Sequence, residues 1–168
     1  MTDYETFART QLPRLSRYAV MLTGERDQAA DLVQDVLVKV FRRWPQLASS
    51  EHPDHYVMRM LTNQYLSWRR SWSVRTIFPT AILPDRAHPD DKAHHYGVRD
   101  DMWRRLSRLP RRQRAVVVLR YYEQLTDAEI ADVLGCSATS VRGYAHRALA
   151  TLRTDLTEDV MADIEERP

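Results

Sequence analysis

The stretch Thr126-Asp-Ala-Glu-Ile-Ala-Asp-Val-Leu-Gly-Cys-Ser-Ala-Thr-Ser-Val-Arg-Gly-Tyr-Ala-His-Arg-Ala-Leu149 decides how this chain of 168 residues is read. Thr126 with Glu129 three residues on has the spacing of a capping box, in which two side chains satisfy two free backbone donors at a helix start. Gly135 then supplies a left-handed stop, because glycine enters that backbone region without the clash a β-carbon brings. Ser137 stands where a second helix needs an acceptor for its first N–H groups. Ile130 and Leu134 face Val141, Ala145 and Leu149 across the angle between the helices, and Ala131 is small enough to let them cross closely. The pattern is a helix-turn-helix. Its outer face holds Thr139, Arg142, Gly143, His146 and Arg147, short near the helix start and basic further on, as a helix inserted in a major groove requires. Ser137 and Ala138 would meet the phosphate wall first, with Ser140 beside them. Gly143 costs about 1 kcal/mol relative to alanine inside a helix, a cost consistent with close approach to a base or backbone.

Working outward, a helix is expected from about Val98 to Leu109, and Pro110 then takes the first position of another that runs to about Glu123. From Arg99 to Arg120 eight arginines stand against two aspartates, a net of +6, whereas Thr154 to Pro168 carries a net of −5. A basic block therefore precedes an acidic tail, although the whole chain carries only +2. Arg111, Arg112 and Arg114 in that block fit phosphate clamps, because a guanidinium beside a groove grips backbone without reading sequence. A plain solubilising role on a helix surface is the alternative for all three.

The first half reads as three helices. One spans about Tyr4 to Leu22 and stops at Thr23-Gly24. The most regular runs from Arg26 to Trp44, with Asp27 as N-cap and Pro45 as its end. At about 100° per residue, Leu32, Val33, Val36, Leu37, Val40, Phe41 and Trp44 gather on one core-building side. Asp31, Asp35, Val38 and Arg42 line the other. The third helix begins after Pro53 and continues to about Trp72, burying Val57, Met58, Leu61, Tyr65, Trp68 and Trp72. Tyr56, Arg59, Asn63, Ser67 and Arg70 lie opposite. Between the halves, Ser73 to Gly97 shows no helical period and holds Pro79, Pro84 and Pro89, which favours an extended connector between separately folding units. The expected division is 1–72, a linker 73–97, a second domain 98–156 and an acidic tail 157–168, all α-helical.

Composition removes other classes. Gly is scarce, at 4 residues, so hairpins and barrels lack their punctuation. The single Cys136 forms no internal disulfide, and no metal-ligand spacing occurs. No signal peptide or membrane-spanning run is visible, which points to a cytoplasmic protein without membrane insertion. Lys39 and Lys92 are the only lysines; the remaining cations are guanidiniums, suited to phosphate and base-edge forks.

With Asp31-Leu-Val-Gln-Asp35, Arg42-Arg-Trp-Pro45, Trp68-Arg-Arg-Ser-Trp72, the Pro110-Arg-Arg-Gln-Arg-Ala-Val-Val-Val-Leu-Arg-Tyr-Tyr122 run and the helix-turn-helix in this order, the sequence resembles an extracytoplasmic-function sigma factor of the actinobacterial SigE-like kind. That resemblance implies that the first domain is sigma region 2 and the second region 4. It implies that Asp31, Gln34, Asp35, Lys39, Arg42 and Arg43 dock on the β′ clamp helices of core RNA polymerase, with region 4 near the β flap. Charge alone would favour a merely solvated face there. It further implies that Arg59, Asn63, Ser67, Arg69 and Arg70 face the minus-10 element, with the loop from Ala48 to Asp54 beside an unstacked base. Trp68 and Trp72 continue the apolar stripe and are read as core. The recognition helix would read the minus-35 element, and the resemblance also admits an anti-sigma factor as a partner.

Two other readings stand beside this one. A helix-turn-helix regulator would bind duplex DNA without polymerase, usually as a symmetric dimer. An enzyme acting on nucleic acid would need a nucleophile with a base, or carboxylates on a metal. Asp31 and Asp35 have no third ligand, so no catalytic residue and no cofactor are expected.

Overall fold

The computed structural model describes residues 3–68 and 94–165, with side chains over 3–68 and 101–158. The linker prolines, Arg69, Arg70 and Trp72 lie outside the described residues. Among those described, helices and short connections make up the chain and no strand occurs.

In the first half, α1 (Tyr4–Thr23) packs on α2 (Arg26–Arg42), and α2 on α4 (Pro53–Ser67), with a single turn, α3 (Trp44–Leu47), between them. Leu15, Tyr18 and Leu22 of α1, Leu32, Val36 and Val40 of α2, and Val57, Leu61 and Tyr65 of α4 are wholly enclosed. The Tyr18 hydroxyl meets Thr62 Oγ1 at 2.8 Å, which gives two buried hydroxyls a partner. Trp68 is buried as expected.

Three local expectations change. The N-cap of α2 is Glu25, which makes no side-chain capping bond, and Asp27 sits in the first turn, where its charge still favours the helix dipole. Pro110 is the N-cap of its helix rather than its first residue. Phe41 is 60% exposed instead of buried. Seven apolar positions cover more of the α2 circumference than α1 and α4 can cap, so the outermost spills over the edge. Its ring rests edge-on against Tyr4 at 5.0 Å, while Trp44 turns back onto Phe7 at 4.8 Å.

The second half comprises α5 (His94–Ser107), α6 (Arg111–Val117), a π-helical turn (Val118–Tyr122), α7 (Asp127–Leu134) and α8 (Ala138–Glu165). Here α5 begins four residues before the expected Val98, and α8 runs on through most of the acidic tail instead of ending near Leu152. Asp155 in that extension pairs with Arg108 at 2.9 Å, tying it to the end of α5. The helix expected to continue unbroken to Glu123 loosens at Val118 into the π turn. Gln124 then takes a positive φ of 58° and lets Leu125 N–H return to the Leu119 carbonyl at 3.0 Å.

The two halves are not held apart. Their buried residues form one contiguous cluster, with α4 lying on α6 and α7, and α1 on α6 and the π turn. Arg114 reaches the Leu22 carbonyl at 2.7 Å, and Arg14 pairs with Glu123 at 2.8 Å. Gly24 ends α1 with φ 79°, and a β-carbon built there would fall 1.5 Å from the Trp103 indole. That glycine therefore answers two demands, a left-handed cap and a flat seat for a ring from the other half.

Candidate nucleic-acid interface

The α7–turn–α8 unit is fixed by local hydrogen bonds of the kind the sequence announces. Glu129 N–H donates to Thr126 Oγ1 at 3.3 Å, and Thr126 N–H donates to Glu129 Oε2 at 2.8 Å, completing the capping box. The Thr126 donors, backbone first, hold the Glu129 carboxyl below its ordinary range. Gly135 has φ 62°, and Cys136 N–H reaches back to the Ala131 carbonyl at 3.0 Å. Ser137 Oγ accepts from Ser140 N–H at 3.1 Å, so both serines serve the start of α8. Ile130, Leu134, Val141 and Ala145 are buried in the angle, as expected, with Leu149 half-buried at its margin.

The opposite face of α8 is open. Thr139, Arg142, His146 and Arg147 are exposed, and Ala138, Ser140 and Gly143 are half-buried between them. Arg142 donates to Thr139 Oγ1 at 3.3 Å, and the Arg147 guanidinium lies 5.3 Å from the centre of the Tyr144 ring. Tyr144 is a member of this face that the helix-turn-helix pattern does not mark; the signal for it is its place three residues before Arg147 on one helix side. A β-carbon at Gly143 would meet only Arg147, with Nη1 nearest at 3.6 Å, so the folded chain itself does not require glycine there.

The arginines at the start of α6 divide. Arg112 is exposed. Arg111 donates to the Tyr65 carbonyl at 2.7 Å and lies over the Tyr65 ring at 4.8 Å. Arg114 donates to four carbonyls, those of Leu22, Leu106, Ser107 and Leu109, at 2.7 to 3.2 Å. Burial lowers its pKa from the ordinary guanidinium value. These two side chains, expected at phosphates, are engaged in this arrangement by carbonyls at the ends of α1, α4 and α5, where helix ends leave acceptors with spare capacity.

In the first half, Asp31, Gln34, Lys39, Arg42 and Arg43 are exposed along α2 and Asp35 is half-buried. Val38 and Phe41 stand exposed among them, giving this charged face an apolar centre. The Lys39 ammonium donates to Gln64 Oε1, and Arg43 Nη1 donates to the Tyr56 hydroxyl at 2.8 Å. Both cations thus lean toward α4. There Arg43, Tyr56, Arg59, Met60, Asn63, Gln64 and Ser67 line a cavity of about 410 Å³. Tyr56, Arg59, Asn63 and Ser67 are the members expected on this face of the helix, whereas Met60, Gln64 and Arg43 join them because α2 and α4 run side by side. The cavity combines an aromatic and an apolar wall with amide groups and two guanidiniums, the side-chain set that an unstacked base with its phosphates needs. The loop from Ala48 to Asp54 leads into α4, and Asp54 pairs with Arg14 at 3.6 Å.

Among the described residues no group of acidic, histidine and cysteine side chains could hold a metal ion, and no helix is long and apolar enough to cross a membrane.

Comparison with known proteins places the chain in a family. Residues 7–74 match the model of Sigma-70 region 2, and residues 99–152 match that of Sigma-70, region 4. The chain is 37% identical over 154 residues to an RNA polymerase sigma-E factor of Streptomyces avermitilis, covering 92% of this chain and 85% of that relative. In fold it is similar to the sigma factor RpoE solved with the anti-sigma factor NepR from Bartonella quintana, with a TM-score of 0.68 at 21% identity over 94% of this chain and 98% of that one. CnrH solved with the cytosolic domain of CnrY gives 0.64 at 20% identity, over 93% and 88%. With both sigma regions present in order, and a relative of this identity matched along most of its length, the chain belongs to the sigma-70 family as an extracytoplasmic-function sigma factor of the SigE-like kind.

Proposed function

We propose that this sigma factor binds core RNA polymerase and directs it to promoters by reading two DNA elements with its two halves. The observation that carries the proposal is the outer face of α8, where Thr139, Arg142, His146 and Arg147 are exposed on a helix braced by a capped turn. That face is assigned to the major groove of the minus-35 element, with Arg112 on a flanking phosphate. The α4 cavity is assigned to a base drawn out of the minus-10 duplex, with Arg59, Asn63 and Ser67 at its polar wall. Arg69 and Arg70 follow α4 in sequence and are assigned to the adjoining phosphates.

The exposed face of α2 is assigned to the β′ clamp helices of the polymerase. Asp31, Gln34, Arg42 and their neighbours there set register, while Val38 and Phe41 supply the apolar surface from which affinity comes. Region 4 sits near the β flap in the same scheme. The protein has no catalytic role of its own and works in the cytoplasm beside the polymerase. One solved relative by fold, a sigma factor, is bound to the anti-sigma factor NepR, which supports an anti-sigma partner for this chain as well.

Run-off transcription from genomic promoter fragments tests the proposal. Purified core polymerase should give discrete start sites only when this protein is added. Tight, symmetric binding to duplex DNA without polymerase, and no new transcript with it, would instead identify a helix-turn-helix regulator.

A further inference from the structure

Two of the side chains that line the α4 cavity have lost the choice of which hydrogen-bonding end they offer. The Gln64 amide could present either its carbonyl or its amino end to an occupant, and the bond it already makes decides which. That bond comes from Lys39 on α2, whose ammonium donates to Gln64 Oε1 from outside the cavity lining. An ammonium has donors and no acceptor, so the amino end of the amide has nothing to gain from it and the amide is held one way round. Gln64 is left with its Nε2–H groups for an occupant.

Tyr56 obeys the same rule. Its hydroxyl oxygen accepts from Arg43 Nη1 at 2.8 Å, and a guanidinium likewise only donates, so the hydroxyl proton is the part still to be placed. Arg59 adds donors alone, one of which meets Asp132 at 3.4 Å. Ser67 has the opposite sense, because its Oγ gives its proton to the Gln64 backbone carbonyl at 3.0 Å and keeps its lone pairs. The cavity is thus a wall of donors along α4 with an acceptor at its C-terminal end. Both clamps, Lys39 and Arg43, belong to the α2 row that the family resemblance gives to polymerase, yet their polar ends are turned to α4.

We infer that Lys39 and Arg43 are positioning residues of this cavity, setting it to donate, so that it takes a base bearing a ring carbonyl and rejects adenine. The preference rests on the assignment of the cavity to an unstacked minus-10 base. A free glutamine amide matches adenine with both ends at once, Nε2–H to N7 and Oε1 to the N6 amino group. With Oε1 held by Lys39 that match is lost, and the N6 amino group meets donors instead. Adenine is the one DNA base without a carbonyl oxygen; cytosine, thymine and guanine each bring an oxygen that the amino end of Gln64 or the Tyr56 hydroxyl can serve. A site whose polar groups are left unpaired by the wrong base discriminates more sharply than one that merely fits its shape.

The test uses holoenzyme, the full chain on core polymerase, and a promoter recovered by run-off transcription. The probe is a fork-junction DNA whose minus-10 non-template strand carries each of the four bases in turn at each position, bound in competition with the labelled parent. Affinities are compared as ratios between bases at one position, which a uniform change in charge or in core binding leaves unmoved. The position that matters is the one whose ratio Gln64→Ala alters. There the wild type should bind adenine about tenfold more weakly than the best carbonyl base, the order of one bidentate base contact. Lys39→Met, which frees the amide, should bring that ratio close to one, and Lys39→Arg should keep it. Lys39→Glu should favour adenine, because a carboxylate accepts from Nε2 and turns Oε1 to the cavity. Arg43→Met should move the ratio in the direction of Lys39→Met. In a Gln64→Ala background Lys39→Met should change the ratio no further, as a residue acting through Gln64 requires. A wild-type ratio retained by every Lys39 variant overturns the inference and leaves the minus-10 assignment standing, as does adenine bound as well as the other bases at that position. Loss of holoenzyme in Lys39→Met overturns it too, returning Lys39 to the polymerase face. If Arg59→Ala, Asn63→Ala and Gln64→Ala alter no base ratio while all three form holoenzyme, the minus-10 assignment of α4 falls first and takes the inference with it.

Discussion

The start of α6 and the outer face of α8 are alike in sequence and opposite in what their arginines meet. Each presents arginines at short spacing on a helix of the same half. At α6, Arg114 lies where α1 and α5 both end, and it gathers the carbonyls of Leu22, Leu106, Ser107 and Leu109. On α8, the partners that Arg142 and Arg147 find are Thr139 and Tyr144 of their own helix. A guanidinium becomes structural where several helix-end carbonyls converge on it, and it stays available for phosphate or base edges where none lie within reach. Arginine density alone therefore marks neither a fold contact nor a DNA contact.

The sharpest way to break that contrast is to truncate one arginine on each side. Arg114→Ala strips four half-buried carbonyls of a charged donor, of which only that of Leu106 is also met by a backbone N–H, from Leu109. Individual losses of this kind run at about 1–3 kcal/mol, so the sum should exceed roughly 3 kcal/mol even after partial rescue by water. For a chain of this size the thermal midpoint should drop by about 10 °C, measured by circular dichroism. A loss below about 1 kcal/mol, the low end for a single such bond, would return Arg114 to the phosphate clamps. Arg142→Ala should behave in the opposite way, moving stability by less than about 0.5 kcal/mol. With polymerase present it should weaken binding to a minus-35 promoter by about 1–3 kcal/mol, roughly five- to 150-fold. Equal transcription from wild type and variant would remove Arg142 from base reading.

The features legible in the sequence are those governed by neighbours three or four residues apart. The Thr126–Glu129 box, the left-handed Gly135, the Ser137 cap and the polar faces of α2, α4 and α8 all follow from such rules, and the helical character of both halves follows with them. Where the deciding partner is remote, the sequence is silent. The Leu22 carbonyl lies 92 positions from Arg114, and nothing near Arg114 announces it. Phe41 fits the apolar stripe of α2, yet stripe width says nothing of how much surface the neighbouring helices cover. The α4 cavity is readable on one wall only, because Arg43 arrives from another helix and Met60 and Gln64 gain meaning only once α2 lies alongside. The packing of the two halves is hidden for the same reason. A linker with three prolines suggests separation, while the interface is made by Arg14, Trp103, Arg111 and Arg114, each meeting a partner far away along the chain.

Two smaller substitutions refine the contrast. Gly143→Ala introduces a β-carbon whose nearest neighbour would be Arg147 Nη1 at 3.6 Å, an ordinary contact. Removing glycine from a helix interior should therefore stabilise the chain by roughly 0.5–1 kcal/mol. If α8 lies in the groove as assigned, the same methyl should cost promoter affinity, so stability and binding move in opposite directions. A variant that gains in both would show that no DNA atom approaches α8 at Gly143. Arg112→Ala carries the smallest effect and the finest distinction, since Arg112 is the exposed member of the α6 trio. As a phosphate contact it should weaken binding evenly across promoter sequences and lower the salt slope by about one, with stability unchanged. An unaltered slope would make the whole start of α6 a structural device, confining the DNA-directed cations of this half to α8. The division between the two helices would then be complete rather than one residue short.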